Sequence, residues 1–357
     1  MTPTPPPSAE AQLAFLARLQ RVFAEGNFTA TYKFALLVAL ADLSVELGAD
    51  DGAGLRLSIQ QVAERFVALY WRHATPYGAG GSGTSPGVLI QNKGKRDGQA
   101  VVVSALADFQ AVYGTASLAE ARNLPTYSAL LSKVAGRVSA QPLNYLQNFG
   151  GTTQEFLYER DGRGFIRLKP GVPYCLRRFH PLVQRLARTH WIDHIKSNRR
   201  NRAILGDGDD LEDFLFGTSR QSLELIGQGL RKIDGNACFY CGQRMDEVDV
   251  DHYVPFSIYG RDLAHNFVLA HPRCNRSKSD TLAAKPHLER WLERLSTRGA
   301  DLVEVGLTAG VSTDIEAASR VMRWAYANAL AGGASAWLRP GAYQSVDSTY
   351  MDMLLAR

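Results

Sequence analysis

Four residues at two matched spacings are the first candidates for chemistry: Cys238-x-x-Cys241 and, further along, His271-x-x-Cys274. A two-residue gap in a tight turn lets both side chains reach one ion, with zinc–sulfur bonds of about 2.3 Å. A structural zinc takes four ligands, and Cys3His is a normal tetrahedral set in which imidazole nitrogen replaces one thiolate. The competing reading is a pair of packed cysteines beside a surface histidine; the matched gaps favour zinc. The fourth cysteine, Cys175, has no partner at such a spacing and reads as a small buried hydrophobe.

Between the two pairs lie polar residues that a structural zinc does not require. "VDVDHYVP" alternates like a strand and then meets Pro255, "NFVLA" (266–270) is a second short apolar strand, and "RCNRSKSDTLAA" starts a helix. Asp251, His252, Asn266 and Asn275 sit at the edges of these elements. Aspartate offers a hard oxygen to Mg²⁺ or Mn²⁺, and histidine is suited to removing a proton near neutral pH.

The run "DH-x-x-P" followed by "HNFVLAH-x-x-CN-x-x-K" resembles the HNH endonuclease family and its ββα-metal fold. That resemblance implies an activity: metal-dependent hydrolysis of a phosphodiester bond in double-stranded DNA, leaving a 5′-phosphate and a 3′-hydroxyl. It casts His252 as general base, with Asp251 and residue 275 holding one divalent ion, Mg²⁺ or Mn²⁺. Asn266 is to hold the His252 imidazole and its loop, and Lys278 and Arg276 are to meet the DNA backbone. Asn275 stands where many members have a histidine. An amide oxygen also ligates Mg²⁺, without adding charge, and the HNH domains of RNA-guided CRISPR nucleases, similar over this stretch, use an asparagine there. One such unit holds one phosphate, so each site is expected to nick. Stand-alone prokaryotic proteins with this unit resemble restriction or anti-phage effectors, which implies partners from a defence system. A non-catalytic zinc module that binds nucleic acid, an RNA-processing nuclease and a mobile-element nuclease are the alternatives. One geometric condition attaches to these roles. Adjacent residues on a regular strand face opposite ways, so Asp251 and His252 converge on one ion only if the strand bends or ends there.

The surrounding elements read as mainly helical. Residues 1–8 are a Pro-rich tail, and 9–150 form a helical domain with apolar spacing near 9–24, 29–47, 58–73, 99–112, 126–138 and 142–148. Residues 151–231 form a connecting region: a hairpin about Asp161-Gly162, then a basic helix from near Phe179. The nuclease module is placed at 232–285, and helices near 286–297 and 314–331, the latter opened by a Thr313-x-x-Glu316 capping box, fill 286–357. The fold class is therefore mainly α and multi-domain, with a small embedded ββα-metal unit.

Charge is unevenly placed. The chain is +5 overall, yet residues 177–204 hold eight Lys/Arg against Asp193 alone. Such concentration points to a polyanion, and Lys196, Arg199, Arg200 and Arg202 are the expected DNA contacts. His190 and His194 in the same helix lack the Glu of a metalloprotease motif and read as helix-face residues beside those arginines. The acidic stretch 206–214 reads as a cap through Asp209 or Asp210, or as a DNA mimic. Gly78, Gly80 and Gly83 form a loose G-x-G-x-x-G without a βαβ setting and read as a loop. The longest apolar run, 34–41, falls far short of the ~20 residues of a membrane span, and four cysteines do not make a disulfide framework. A reducing cytoplasm is the expected location.

Overall fold

The computed structural model describes residues 4–78, 85–94, 98–115, 117–206 and 210–356. It divides into two compact units, residues 1–217 and 218–357. In chain order the first unit contains α1 (Ala9–Glu25), α2 (Tyr32–Leu47), β1 (Leu55–Ser58), α3 (Ile59–Tyr70), α4 (Val101–Tyr113), α5 (Leu118–Arg122), α6 (Tyr127–Ala140) and α7 (Pro142–Tyr145). It continues with β2 (Asn148–Phe149), β3 (Thr152–Thr153), β4 (Tyr158–Arg160), β5 (Phe165–Leu168), α8 (Val172–Arg178), α9 (His180–Lys196), α10 (Arg202–Leu205) and α11 (Leu211–Phe216). The second unit comprises α12 (Arg220–Asp234), β6 (Asp249–His252), β7 (Phe267–Ala270), α13 (Pro272–Lys278), α14 (Lys285–Ala309), α15 (Ile315–Ala331), β8 (Ser335–Arg339), β9 (Ala342–Ser345) and α16 (Ser348–Leu355).

The first unit is wrapped around α2. The apolar run 34–41 gives that helix no polar face, so it is buried from Tyr32 to Glu46 with α3, α8 and α9 against it. Its carboxylates are therefore paired: Asp42 accepts from His180 Nε2 at 2.8 Å, and Glu46 pairs with Arg65. Arg177 belongs to this arrangement and not to a polyanion surface. Its guanidinium donates to the carbonyls of Ser44 and Val45 at the C-terminal end of α2 and to Asp50 at 2.7 Å. The hairpin about Asp161-Gly162 forms as β4 and β5, and Gly162 has φ +72° there. A third strand that sequence pattern does not announce, β1, pairs along β5 with Leu57 opposite Ile166.

Three local expectations change. The N-cap of α15 is Asp314, whose carboxylate accepts from Ala317 N–H at 2.9 Å, and not Thr313. Asp210 occupies the N-cap position of α11 but turns its carboxylate to the Tyr77 hydroxyl; Asp209, Gly80 and Gly83 lie outside the described residues. His190 and His194 do not sit beside DNA-facing arginines. His190 stacks on Phe23 with centroids 4.7 Å apart, and His194 is buried edge-on to Phe34.

His73 is held neutral by its neighbours. Nε2–H donates to the Leu215 carbonyl at 2.8 Å, and Nδ1 accepts from the Gln91 amide at 3.0 Å, while Gln91 Oε1 takes the Trp191 and Thr31 donors. Burial pushes His73 down to about 4, against the opposing pull of its Leu215 and Gln91 hydrogen bonds, and burial lowers His194 to about 4 as well. Because the folded values lie below the unfolded 6.5, stability present above that pH is lost as pH falls from 6.5 through 4. Denaturant unfolding should show each histidine costing about 2 kcal/mol at pH 5 relative to pH 7. A His194→Leu variant should keep only part of that loss; identical pH dependence in the two proteins would contradict it.

Candidate active site

Residues 236–245 build the first half of a metal centre. A turn closed by Gly242 N–H on the Cys238 carbonyl (2.8 Å) and Cys238 N–H on the Gln243 carbonyl (2.9 Å) presents Cys238 and Cys241 together. Gly242 adopts φ +70°, which a side chain would strain. The second half is the start of α13, where His271 is the N-cap, Pro272 fills the first helical position and Cys274 follows in the first turn. All four ligand atoms lie within 4.8 Å of one another, and Cys241 Sγ is 3.4 Å from His271 Nδ1. His271 Nε2–H donates to the Arg244 carbonyl at 3.1 Å, which leaves Nδ1 as the free ligand atom. Three thiolates and one oriented imidazole fit zinc, and the Cys3His centre expected from spacing is present.

β6 and β7 pair antiparallel with His252 opposite Phe267 and Asp251 opposite Val268. The pairing runs as far as His252, where β6 ends without a bend before it, so within the paired segment the Asp251 and His252 side chains leave opposite sides. On one side, the His252 ring lies between Phe267 (4.5 Å) and Phe256 (5.2 Å), and its Nε2 is 2.9 Å from Asp262 Oδ1. The Thr218 hydroxyl donates to the same oxygen at 2.8 Å. A carboxylate only accepts, so Nε2 carries the proton and Nδ1 keeps its lone pair.

On the other side, Asp249 and Asp251 face α13. Asn275 Nδ2 donates to Asp249 Oδ2 at 3.0 Å. Asp251 is 8% exposed; Tyr240 Oη donates to its Oδ2 at 2.5 Å, and Lys278 Nζ lies 3.0 Å from the same atom. Asn266 does not reach the imidazole. Its amide instead accepts from Val254 N–H (2.8 Å) and donates to the Val254 carbonyl (2.9 Å), pinning the loop that follows His252 as a neighbouring strand would.

Lys278, expected at the DNA backbone, is 1% exposed. Its ammonium donates to the His252 carbonyl at 2.9 Å and pairs with Asp251, and burial lowers its pKa against the opposing pull of that carboxylate. Burial and the Asp251 charge in turn push the Tyr240 phenol well up. Arg276 is exposed on α13. In the first unit Lys196, Arg199 and Arg202 are exposed, whereas Arg200 is half-buried and donates to the Asn92 and Gly94 carbonyls. Asp249, Asp262 and Tyr240 are the site residues that sequence reasoning missed. Asp249 was visible as the first acid of "DVDH"; Asp262 and Tyr240 carry no motif, because a loop and the zinc turn deliver them.

A cavity of about 460 Å³ opens along β6 beside these groups, lined by Glu224, Gln228 and Arg231 of α12, by Asp249 and by Asn275. It gives Asp249 and Asn275 access to an incoming ligand. Asp251 is not among its lining residues and is buried against Tyr240 and Lys278.

Two outcomes follow for the site. Removing zinc with a strong chelator, or replacing Cys274 by Ser, should unfold the 238–281 region, read as loss of bound zinc and of amide protection there; a fully protected region without zinc would contradict the structural role. Lys278→Met should lower stability by about 3–5 kcal/mol in denaturant melts, because it strands a buried carboxylate; a change under 1 kcal/mol would mean that the ion pair is not formed.

A family model described as HNH endonuclease matches residues 238–281, the span of the zinc turn, β6, β7 and α13. A second, described as domain of unknown function (DUF8808), matches residues 12–212. No curated protein and no solved structure matches the chain. The protein thus belongs to the DUF8808 family, whose model takes in more than half of it, and carries an HNH endonuclease domain in its second unit.

Proposed function

We propose that this protein is a metal-dependent DNA endonuclease that nicks one strand per site, with His252 as the general base. The observation that supports it is the Thr218–Asp262–His252 relay: a hydroxyl and a carboxylate fix the tautomer of a half-buried imidazole between two aromatic rings. A zinc fold has no need of an oriented, lone-pair-bearing histidine, whereas proton removal from water does. Nδ1 takes the proton from the attacking water, and Asp262 stabilises the imidazolium that forms. Asn266 keeps the loop after His252 in place, so the ring does not swing away.

The implied divalent ion is Mg²⁺ or Mn²⁺. Asp249 and Asn275 fit it: one carboxylate and one amide oxygen at an open cavity match an ion that keeps several of its waters. Asp251, the ligand implied by the resemblance, is committed to Lys278 and Tyr240 and stands one strand step beyond; it joins the set only if Lys278 gives way. When bound, the ion would supply Lewis-acid stabilisation of the phosphate charge; because Asp249 and Asn275 lie across the strand from His252, one phosphate would meet both only around the end of β6, where His252 is the last residue. DNA is the proposed substrate, with exposed Arg276 in the second unit and Lys196, Arg199 and Arg202 in the first as phosphate contacts. Restriction or anti-phage defence is the proposed setting and rests on the family resemblance.

Supercoiled plasmid tests this reading. With Mg²⁺ or Mn²⁺ the protein should convert it to open circles, and EDTA should stop the reaction. His252→Ala should abolish nicking while bound zinc persists, and Asp262→Asn should slow it by roughly 10²–10⁴-fold, the usual range for general acid–base catalysis. Equal nicking by wild type and His252→Ala would overturn the mechanism. DNA binding without nicking in any metal would favour the non-catalytic zinc module.

A further inference from the structure

The first unit holds a second cavity, of about 420 Å³, lined among others by Tyr32, Lys33, Ala100, Val101 and Arg137. Its walls are positive from three independent sources. Lys33 is 8% exposed, so it is more than nine-tenths buried, and it has no carboxylate partner among the described residues; its Nζ lies 5.3 Å from the Phe28 ring centroid. Burial without a counter-charge lowers the Lys33 pKa. Arg137 stands across the Tyr32 ring, 5.6 Å from its centroid, and its buried Nε has no hydrogen-bond acceptor. The N-terminal end of α2 also meets the cavity at Tyr32–Lys33, and its first turn receives no side-chain cap; the start of α4 lines the cavity at Ala100–Val101, but the Tyr32 hydroxyl already accepts from Val102 N–H at 3.1 Å. The orphan N–H groups at the start of α2 add partial positive charge, and no Asp or Glu is among the described lining residues.

An ammonium with no carboxylate partner among the described residues and an orphaned guanidinium nitrogen each cost desolvation that the fold itself does not repay in full. An anion would satisfy both. The rest of the lining narrows its class: the side-chain amides of Asn27 and Gln141 offer paired donors and acceptors suited to a base edge, those of Asn92 and Asn148 offer donors, their oxygens accepting from Gly94 N–H and the Thr153 hydroxyl, and Tyr145, 49% exposed, offers a stacking face at the rim. The volume lies in the ~300–1,000 Å³ range of small-molecule sites. We propose that this cavity binds a free nucleoside monophosphate, its phosphate held by Lys33, Arg137 and the start of α2, and its base by the amides and Tyr145.

Calorimetry on the full chain tests this with AMP, GMP, CMP and UMP one at a time, alongside adenosine and inorganic phosphate. At least one monophosphate should bind at least tenfold more tightly than either fragment. Lys33→Met should weaken that binding by tenfold or more while raising the melting temperature of the ligand-free protein, because an uncompensated charge is removed. Arg137→Gln, on a half-buried helix face, should weaken it similarly and serves as the second variant if Lys33→Met folds poorly. The proposal is overturned if none of the four monophosphates binds, if inorganic phosphate binds as tightly as the best of them, or if binding in a folded variant stays within twofold of wild type.

Discussion

The Cys3His cluster, which fits zinc, ties together the strands and the helix that carry the site. Cys238 and Cys241 come from a turn before β6, and His271 and Cys274 from the start of α13, so one ion fastens the two ends of a strand–strand–helix unit. Such a unit is too small to bury a core of its own, and a cross-link at its ends replaces what the core lacks. Asn275 directly follows a zinc ligand and is thereby held against Asp249. Lys278, less than one turn further, is delivered to Asp251 and to the His252 carbonyl. The chain leaves the helix immediately afterwards through Ser279, at φ +48°, a conformation uncommon for a residue with a side chain.

The two sides of β6 then carry different work. The side toward α13 holds a chain of charge, Tyr240–Asp251–Lys278, that is buried and internally satisfied. The other side holds His252, clasped between aromatic rings with its tautomer fixed by Asp262. Because Lys278 touches the backbone of His252 while its ammonium neutralises Asp251, the charged side braces the strand under the histidine. That bracing accounts for a lysine at this position without any contact to DNA. It also explains why a buried ion pair survives where an apolar pair would be at least as stable: it fixes where the strand ends.

What could be read from the sequence is what is local. The zinc spacing, the alternation of "VDVDH", the apolar "NFVLA" and the Pro-led helix after His271 each depend on neighbours a few residues away, and each forms as expected. The helix expected near 29–47 also forms, as α2, though its burial on all sides was not read from the run 34–41. The contacts that decide roles are distant in sequence and have no periodic signature. Asp262 reaches His252 across a loop, and Tyr240 reaches Asp251 from inside the zinc turn. Arg177 crosses from α8 to the end of α2, so a count of charges could not distinguish it from the exposed Arg199 and Arg202. The strand side of Asp251 and His252 turned on where pairing stopped, which depends on Phe267 opposite and not on Pro255 ahead.

The central claim is that the imidazole of His252 removes the proton from the attacking water. Chemical rescue measures this directly: His252→Gly leaves a hole of imidazole size, and added imidazole replaces the side chain without altering zinc or the strand pair. Single-turnover nicking by this variant should be lost in buffer and return as imidazole is raised, with a rate that follows the neutral fraction of the added base. Nicking by His252→Gly at the wild-type rate without imidazole would contradict the account.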